Sequence, residues 1–99
     1  MIVSFEPSVP TTDVDQYLHE LEDLLVGSGH VTGFTARHHI GVPGEDAPVF
    51  VATAIVQLDL ADVDALQAAF TMSGLEEFIG RWQSRHPYRA VWANHEPLT

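Results

Sequence analysis

The chain has 99 residues, the size of a single domain with one hydrophobic core. Its four basic residues are all Arg, and 14 Asp plus Glu residues bring the formal net charge to −10 at pH 7. Because nucleic acids and anionic membranes bind clustered cationic side chains, neither is expected as a partner. Cysteine is absent, which excludes disulfide bonds and thiolate chemistry.

The sequence predicts a cytoplasmic protein with one domain, residues 1–99. Its longest apolar runs have the length of strands rather than of membrane-spanning helices. The N-terminus lacks the basic segment that is typical of a signal peptide. The acidity is explained by solubility or by adaptation to high salt, and the functional alternative is a cationic partner.

A strand and a helix are predicted first. Residues 1–5 (MIVSF) are short and mostly apolar, which is typical of a strand. Apolar residues then recur at the spacing of one helical face, which predicts a helix that Thr11 or Thr12 caps. Gly27 and Gly29 end this helix, because glycine suits the backbone conformation found after helix C-termini.

The middle of the chain predicts a hairpin. Residues 30–40 (HVTGFTARHHI) form the second strand, and residues 41–47 contain two glycines and a proline that favour a turn. Residues 50–58 are rich in β-branched and apolar residues, so they predict a central strand, which Asp59 ends.

A helical region with one interruption follows. Asp59 or Asp62 caps its first part, since a carboxylate accepts hydrogen bonds from the free N–H groups of the first turn. Ser73 and Glu76 have the spacing of a capping box, which predicts that the helix restarts there. A proline then stops the helix, and residues 88–95 form the last strand.

This β-α-β-β-α-β order predicts a ferredoxin-like α+β fold, in which a four-stranded antiparallel sheet in the order 4-1-3-2 carries both helices on one face. No helix covers the other face, and the strand of residues 50–58 is apolar on both sides. We therefore expect that face to be buried against a partner. The simplest partner is a second copy, which predicts a homodimer that closes a barrel and encloses a small organic molecule.

The stretch VFVATAIVQLDLADVDALQAAFTMSGLEEFIGRW resembles the dimeric α+β barrel superfamily. It is most similar to the EthD-like branch, followed by the antibiotic-biosynthesis-monooxygenase and muconolactone-isomerase branches. The similarity lies in a strand that ends in an apolar–Asp step, a helix with ALQAAF, and a short second helical piece. The resemblance implies the dimeric barrel, but the fold does not fix the function.

One part of the first helix departs from the EthD-like pattern. That family tends to carry a Tyr–aromatic pair followed by a His. Here Tyr17 is present, Leu18 replaces the second aromatic residue, and Glu22 stands where the His is expected. His19 falls on another part of the helix surface, so the role of the family's His is not transferred to this chain.

The second strand carries two catalytic candidates. Side chains alternate along a strand, so Thr35, Arg37 and His39 share one face, the more polar one, which is expected to line the barrel. His39 would transfer a proton near neutral pH, and Arg37 would stabilise a carboxylate, enolate or phenolate. Alternatively, His39 is a surface histidine near a hairpin, and Arg37 forms a salt bridge.

The first and last strands supply further candidates. Asn94 is the third catalytic candidate, because its amide can donate a hydrogen bond to a developing negative charge. Trp92 would form an aromatic wall beside it. Alternatively, Trp92 packs in the dimer core, and Ser4 is a small residue that fits beneath a crossing side chain. The predicted ligand-binding residues are Trp92, Tyr88, Ser4, Gln57, His38 and His95.

Neither a metal nor a cofactor is predicted. The six histidines lack the spacing of ligand pairs on a strand or a helix, and no phosphate-binding Gly-rich loop or nucleophile elbow is present. The leading hypothesis is a small cofactor-independent enzyme, of the cyclase, isomerase or monooxygenase type, acting on an apolar or aromatic oxygenated small molecule. The alternatives are a non-catalytic ligand-binding module and a structural oligomerisation module of the same fold.

Overall fold

The computed structural model describes residues 1–45 and 52–96. Its elements are β1 (Ile2–Phe5), α1 (Thr11–Gly27), β2 (Val31–His38), β3 (Ala54–Leu60), α2 (Val63–Thr71), α3 (Ser73–Arg85) and β4 (Tyr88–Val91). The predicted α+β class and element order are confirmed, with the second helical region divided into α2 and α3. The third strand was predicted to begin at residue 50; residues 50–51 lie outside the described residues, and β3 begins only at Ala54.

The four strands form one antiparallel sheet in the order β2-β3-β1-β4. Read from the other edge, this is the predicted order 4-1-3-2. Alternating side chains separate the two sheet faces: Val56 is 1% exposed beneath the helices, whereas the adjacent Ile55 is 54% exposed on the opposite side. The helices therefore cover one face of the sheet and leave the other open.

The core lies between the helices and the sheet, and Tyr17 occupies its centre. The buried residues of α1 recur at helical spacing and are Val14, Tyr17, Leu18, Leu21 and Leu25. The Tyr17 ring contacts four other rings, with centroids 5.0 to 5.5 Å apart, which belong to Phe5, Phe78, Trp82 and Tyr88. These aromatic contacts join β1, α1, α3 and β4 into a single core.

The two predicted caps at the starts of α1 and α2 have different outcomes. Asp62 caps α2 as predicted, because its Oδ1 accepts the Ala65 N–H at 2.8 Å. The cap predicted for α1 is wrong, since Pro10 precedes the first turn and no side chain caps it. The carbonyl oxygen of Pro10 instead accepts the N–H groups of Asp13 and Val14, at 3.0 and 3.2 Å, so Thr11 and Thr12 already lie inside the helix.

The predicted break in the helical region is confirmed, but the predicted capping box is wrong. Met72 is extended, with a ψ of 138°, and separates α2 from α3. Ser73 is the first residue of α3 rather than its cap. The Leu75 N–H instead donates to the carbonyl oxygen of Met72 at 3.2 Å, so the backbone closes the first turn.

Three strand ends differ from the predictions. β3 continues past Asp59, because Leu60 pairs with Val31 across a register shift in β2. β2 ends at His38, earlier than predicted. β4 ends at Val91, also earlier than predicted, since it pairs with β1, which has 4 residues.

Gly29 follows α1 with a φ of +81°, a left-handed conformation that side chains disfavour. We expect Gly29→Ala to lower the free energy of unfolding by about 1 kcal/mol. Gly27, the last residue of α1, is the matched control: nothing lies within 4 Å of an added Cβ, and alanine is the better helix former by about 1 kcal/mol. Urea denaturation should shift the two variants in opposite directions, and a G29A protein as stable as G27A would contradict this expectation.

Candidate functional site

Two histidine–carboxylate pairs lie side by side at the end of β2. His38 is the last residue of this strand, and its Nε2 contacts Oδ1 of Asp15 on α1. His39 follows, and its Nε2 lies 3.1 Å from Oε2 of Glu45 in the next loop. A carboxylate beside an imidazole orients the ring and selects the nitrogen that carries its proton. Both rings are therefore held in one orientation.

The histidines of the two pairs border a pocket of about 280 Å³, here named the end pocket, where the ends of β1 and β2 meet the N-terminal part of α1. The residues that line it include Phe5, Val9, Val14, Thr11, Thr53, His38 and His39. Ligand sites in proteins typically combine an apolar wall with a few polar groups that fix the orientation of the ligand. The end pocket has both parts.

The alternation along β2 agrees with the sequence prediction. Phe34 and Ala36 pack against the core and His38 contacts α1, so this set faces the helices. Thr35 and Arg37 are exposed on the face without helices. His39 was predicted to share that face, but it lies beyond the last residue of β2 and lines the end pocket.

The helix-free face, here named the open face, carries Ile2, Ser4, Thr35, Arg37, Ile55, Gln57, Arg89 and Val91. A row crosses it from edge to edge, because Arg37 pairs with Ile55, Ile55 with Ile2, and Ile2 with Val91. The three aliphatic residues of this row are all exposed. The open face is thus an apolar strip with polar residues on both sides.

The four arginines occupy two environments. Arg81 and Arg85 form ion pairs with carboxylates of α1, at 3.5 and 3.4 Å, and join α3 to that helix. Arg37 and Arg89 lie on the open face, and within residues 1–45 and 52–96 neither forms an ion pair. The Arg37 Nη1 donates to the neighbouring carbonyl oxygen of Ala36 at 3.0 Å. Both guanidinium groups can therefore reach an anionic group brought to the open face.

The candidates from the last strand lie apart from the end pocket. Tyr88 packs its ring among the core aromatics. Trp92 follows β4 and contacts Phe70 of α2 edge to face, with centroids 4.9 Å apart. Asn94 and His95 continue the exposed segment after β4. Because β4 and β2 form opposite edges of the sheet, a single chain does not bring these residues to the two histidines.

Sequence reasoning missed the carboxylates that complete the site. Neither Asp15 nor Glu45 stands at a helical or strand spacing from its histidine, and only the packing of α1 and of the loop after β2 brings each pair together. One signal was present: Asp15, His19 and Glu22 fall on one side of α1, at the spacing of a helical stripe. A polar stripe on a helix that packs beside a strand with histidines indicates where carboxylate–imidazole contacts form.

Tyr17 does not contribute acid–base chemistry near neutral pH. Burial, and after it a hydrogen bond with Tyr88, raises the pKa of the Tyr17 phenol far above its usual range. The phenol therefore stays protonated in the core, and the histidines remain the candidates for proton transfer.

A second cavity, here named the edge groove, has a volume of about 320 Å³ and lies between α1 and the edge strand β2. It is lined by Asp15, Leu18, His19, Glu22 and the residues from Phe34 to His38. His38 borders both cavities, so the His38–Asp15 pair lies between them.

The described residues form a small α+β protein with two histidine–carboxylate pairs beside one pocket. Within residues 1–45 and 52–96, no group of three or more His, Asp or Glu is arranged to hold a metal ion. No helix of this part of the chain is long and apolar enough to cross a membrane. Comparison with models of known families, with curated proteins and with solved structures finds no match. The similarity to EthD-like proteins therefore stays a prediction from the sequence pattern.

Proposed function

We propose that the protein is a small cofactor-independent enzyme, of the cyclase, isomerase or monooxygenase type, that transfers protons on an apolar or aromatic oxygenated molecule. The observation that carries this proposal is the end pocket, where His38 and His39, each beside its own carboxylate, border one cavity with an apolar wall. Imidazole is the side chain best suited to proton transfer near neutral pH.

The two histidines would divide the chemistry between them. His39 acts as general acid or base, as the sequence predicts, and His38 becomes a second proton carrier rather than a ligand-binding residue alone. Neighbouring imidazoles allow one ring to accept a proton while the other donates one, which isomerisation and cyclisation both require. The wall of Phe5, Val9 and Val14 would hold the apolar body of the substrate.

We also propose that a second copy of the chain covers the open face. Ile2, Ile55 and Val91 form a continuous exposed row, and a two-fold dimer would bury the same row on both copies. Arg37 would then lie between the two sheets, where it could bind an anionic group of a ligand. Trp92 and Asn94 would keep their predicted roles only where the partner copy brings them to the ligand.

The second candidate function is a non-catalytic ligand-binding or structural module of the same fold. The exposed row of the open face favours this alternative, because such a row accounts for assembly without any chemistry at the end pocket.

Proton exchange at carbon tests the enzymatic proposal before the natural substrate is known. Aromatic ketones, including β-tetralone, exchange their α-protons for deuterium in heavy water, and proton NMR measures the rate of this exchange. We expect the protein to accelerate this exchange, and His38→Gln and His39→Gln to slow the catalysed rate by about 100-fold or more. His30→Gln, just before β2 and at the opposite end of this strand from the two histidines, is the matched control and should keep the wild-type rate.

Binding measured in the same samples separates the alternatives. Ketones that shift the NMR signals of Val9 and Val14 without faster exchange would support the non-catalytic ligand-binding module. Faster exchange that survives in both histidine variants would contradict the proposed role of the two imidazoles. A panel that neither binds nor exchanges faster would contradict the end pocket as a site for this class of molecule.

A further inference from the structure

The edge groove is a second cavity, and the proposed chemistry of the end pocket does not use it. Its floor is apolar, because Leu18 belongs to the buried core and Phe34 and Ala36 pack against that core. Its volume, about 320 Å³, is at the lower end of the range of small-molecule sites in proteins. The groove therefore has room for one small ligand with an apolar body.

The rim of the groove places a carboxylate near each end of this floor. Asp15, Leu18 and Glu22 lie on one side of α1, at the spacing that aligns residues along a helix. Asp15 and Glu22 are separated by about 10 Å along the helix axis. A ligand that covers Leu18 thus has a carboxylate at either end.

The two carboxylates differ in what they already contact. Asp15 contacts the imidazole of His38. Glu22 forms neither an ion pair nor a hydrogen bond with any residue in the described ranges. Arg37 is the one cation among the lining residues, and its Nη1 donates to the carbonyl oxygen of Ala36. Glu22 is therefore the group most available to a ligand.

The net charge of the whole chain also favours cationic ligands over anionic ones. With a net charge of −10, the protein attracts cations and repels anions, and a concave surface concentrates this effect. An apolar floor alone would accept any apolar ligand, and a surface carboxylate alone binds cations weakly. Their combination in one cavity selects for ligands that have both properties.

We propose that the edge groove binds an organic cation, a primary amine with an apolar or aromatic body. The ammonium group contacts the Glu22 carboxylate, and the body covers Leu18, Phe34 and Ala36. This inference goes beyond the proposed enzymatic function and does not depend on it, since the end pocket is a separate cavity. The two sites share His38, which borders both.

Three probes of the same shape test the proposal: phenethylamine as the cation, phenethyl alcohol as the neutral molecule and phenylacetate as the anion. Each is titrated at about pH 8, above the usual titration range of imidazole, and amide NMR signals are followed. Phenethylamine is expected to shift the signals of Leu18, Phe34 and Ala36. It should bind about tenfold more tightly than the alcohol, as a charge-assisted hydrogen bond does relative to a neutral one.

Matched variants assign the effect to one carboxylate. Glu22→Gln keeps the size of the side chain and removes its charge, and should weaken phenethylamine binding by about tenfold while leaving phenethyl alcohol unchanged. Glu77→Gln makes the same change at an exposed position on α3 and should alter the affinity less than about twofold, because salt screens distant charges.

Four results would overturn the proposal. They are equal affinities for the amine and the alcohol, tighter binding of phenylacetate, an E22Q protein that binds phenethylamine like the wild type, and shifted signals that lie outside the edge groove.

Discussion

The Val56→Asp variant is expected to be unfolded, whereas Ile55→Asp at the adjacent position is expected to fold and to lose the proposed homodimer. Val56 is 1% exposed, so a carboxylate there would be buried without a partner. This burial costs several kcal/mol, a large part of the roughly 5–15 kcal/mol that stabilise a domain. Ile55 is 54% exposed on the open face, where water solvates a charge in the single chain but a face-to-face dimer would bury it.

Circular dichroism and analytical ultracentrifugation check the two outcomes together. Val63→Asp is the matched control for the dimer, since Val63 is also an exposed aliphatic residue but lies on α2, away from the open face. It should leave both the fold and the dimer unchanged. A dimeric Ile55→Asp protein would contradict the open face as the interface, and a monomeric wild-type protein would contradict the homodimer itself.

The Trp82→Ala variant should lose about 3–5 kcal/mol of its free energy of unfolding, the usual cost of removing a large buried aromatic side chain. Trp82 is 2% exposed, its ring lies 5.5 Å from that of Tyr17, and its Nε1 donates to Oε2 of Glu20 at 2.7 Å. The substitution therefore leaves a cavity in the core and removes a hydrogen bond between α3 and α1.

Trp92→Ala provides the matched control. Trp92 is 41% exposed, and the one aromatic contact described for it is with Phe70. We expect a loss of about 1 kcal/mol, the value of an exposed aromatic pair. Urea denaturation measures both losses. Equal losses in the two tryptophan variants would contradict the different burial of the two side chains.

The fold could be predicted because its determinants are local patterns. The helical stripe that contains Tyr17 and Leu21, and the alternation around Val56, specify which sides of the elements are buried. Handedness rules then lead from the element order to the strand order. The caps of α1 and α3 were mispredicted, because Pro10 and Met72 begin those helices through the backbone and leave the nearby hydroxyl groups unused.

The candidate site was only partly predictable. Alternation along β2 correctly separated His38 from Arg37, since it depends on strand geometry alone. The helical stripe that contains Asp15 indicated one side of α1, but the contacts of Asp15 and Glu45 depend on how α1 and a loop pack. The position of Trp92 depends on where β4 ends, and that is set by its pairing with β1 at the other end of the chain.

The central position of β1 has a consequence for the order in which the sheet forms. β1 lies between β3 and β4, and Ile2 pairs with both Ile55 and Val91. β1 must therefore wait for β4, the last strand of this sheet, before both of its edges are paired. Contacts between residues so distant in sequence slow folding. We expect closure of the sheet to be a late step of folding, and a chain that lacks β4 to expose an unpaired edge of β1.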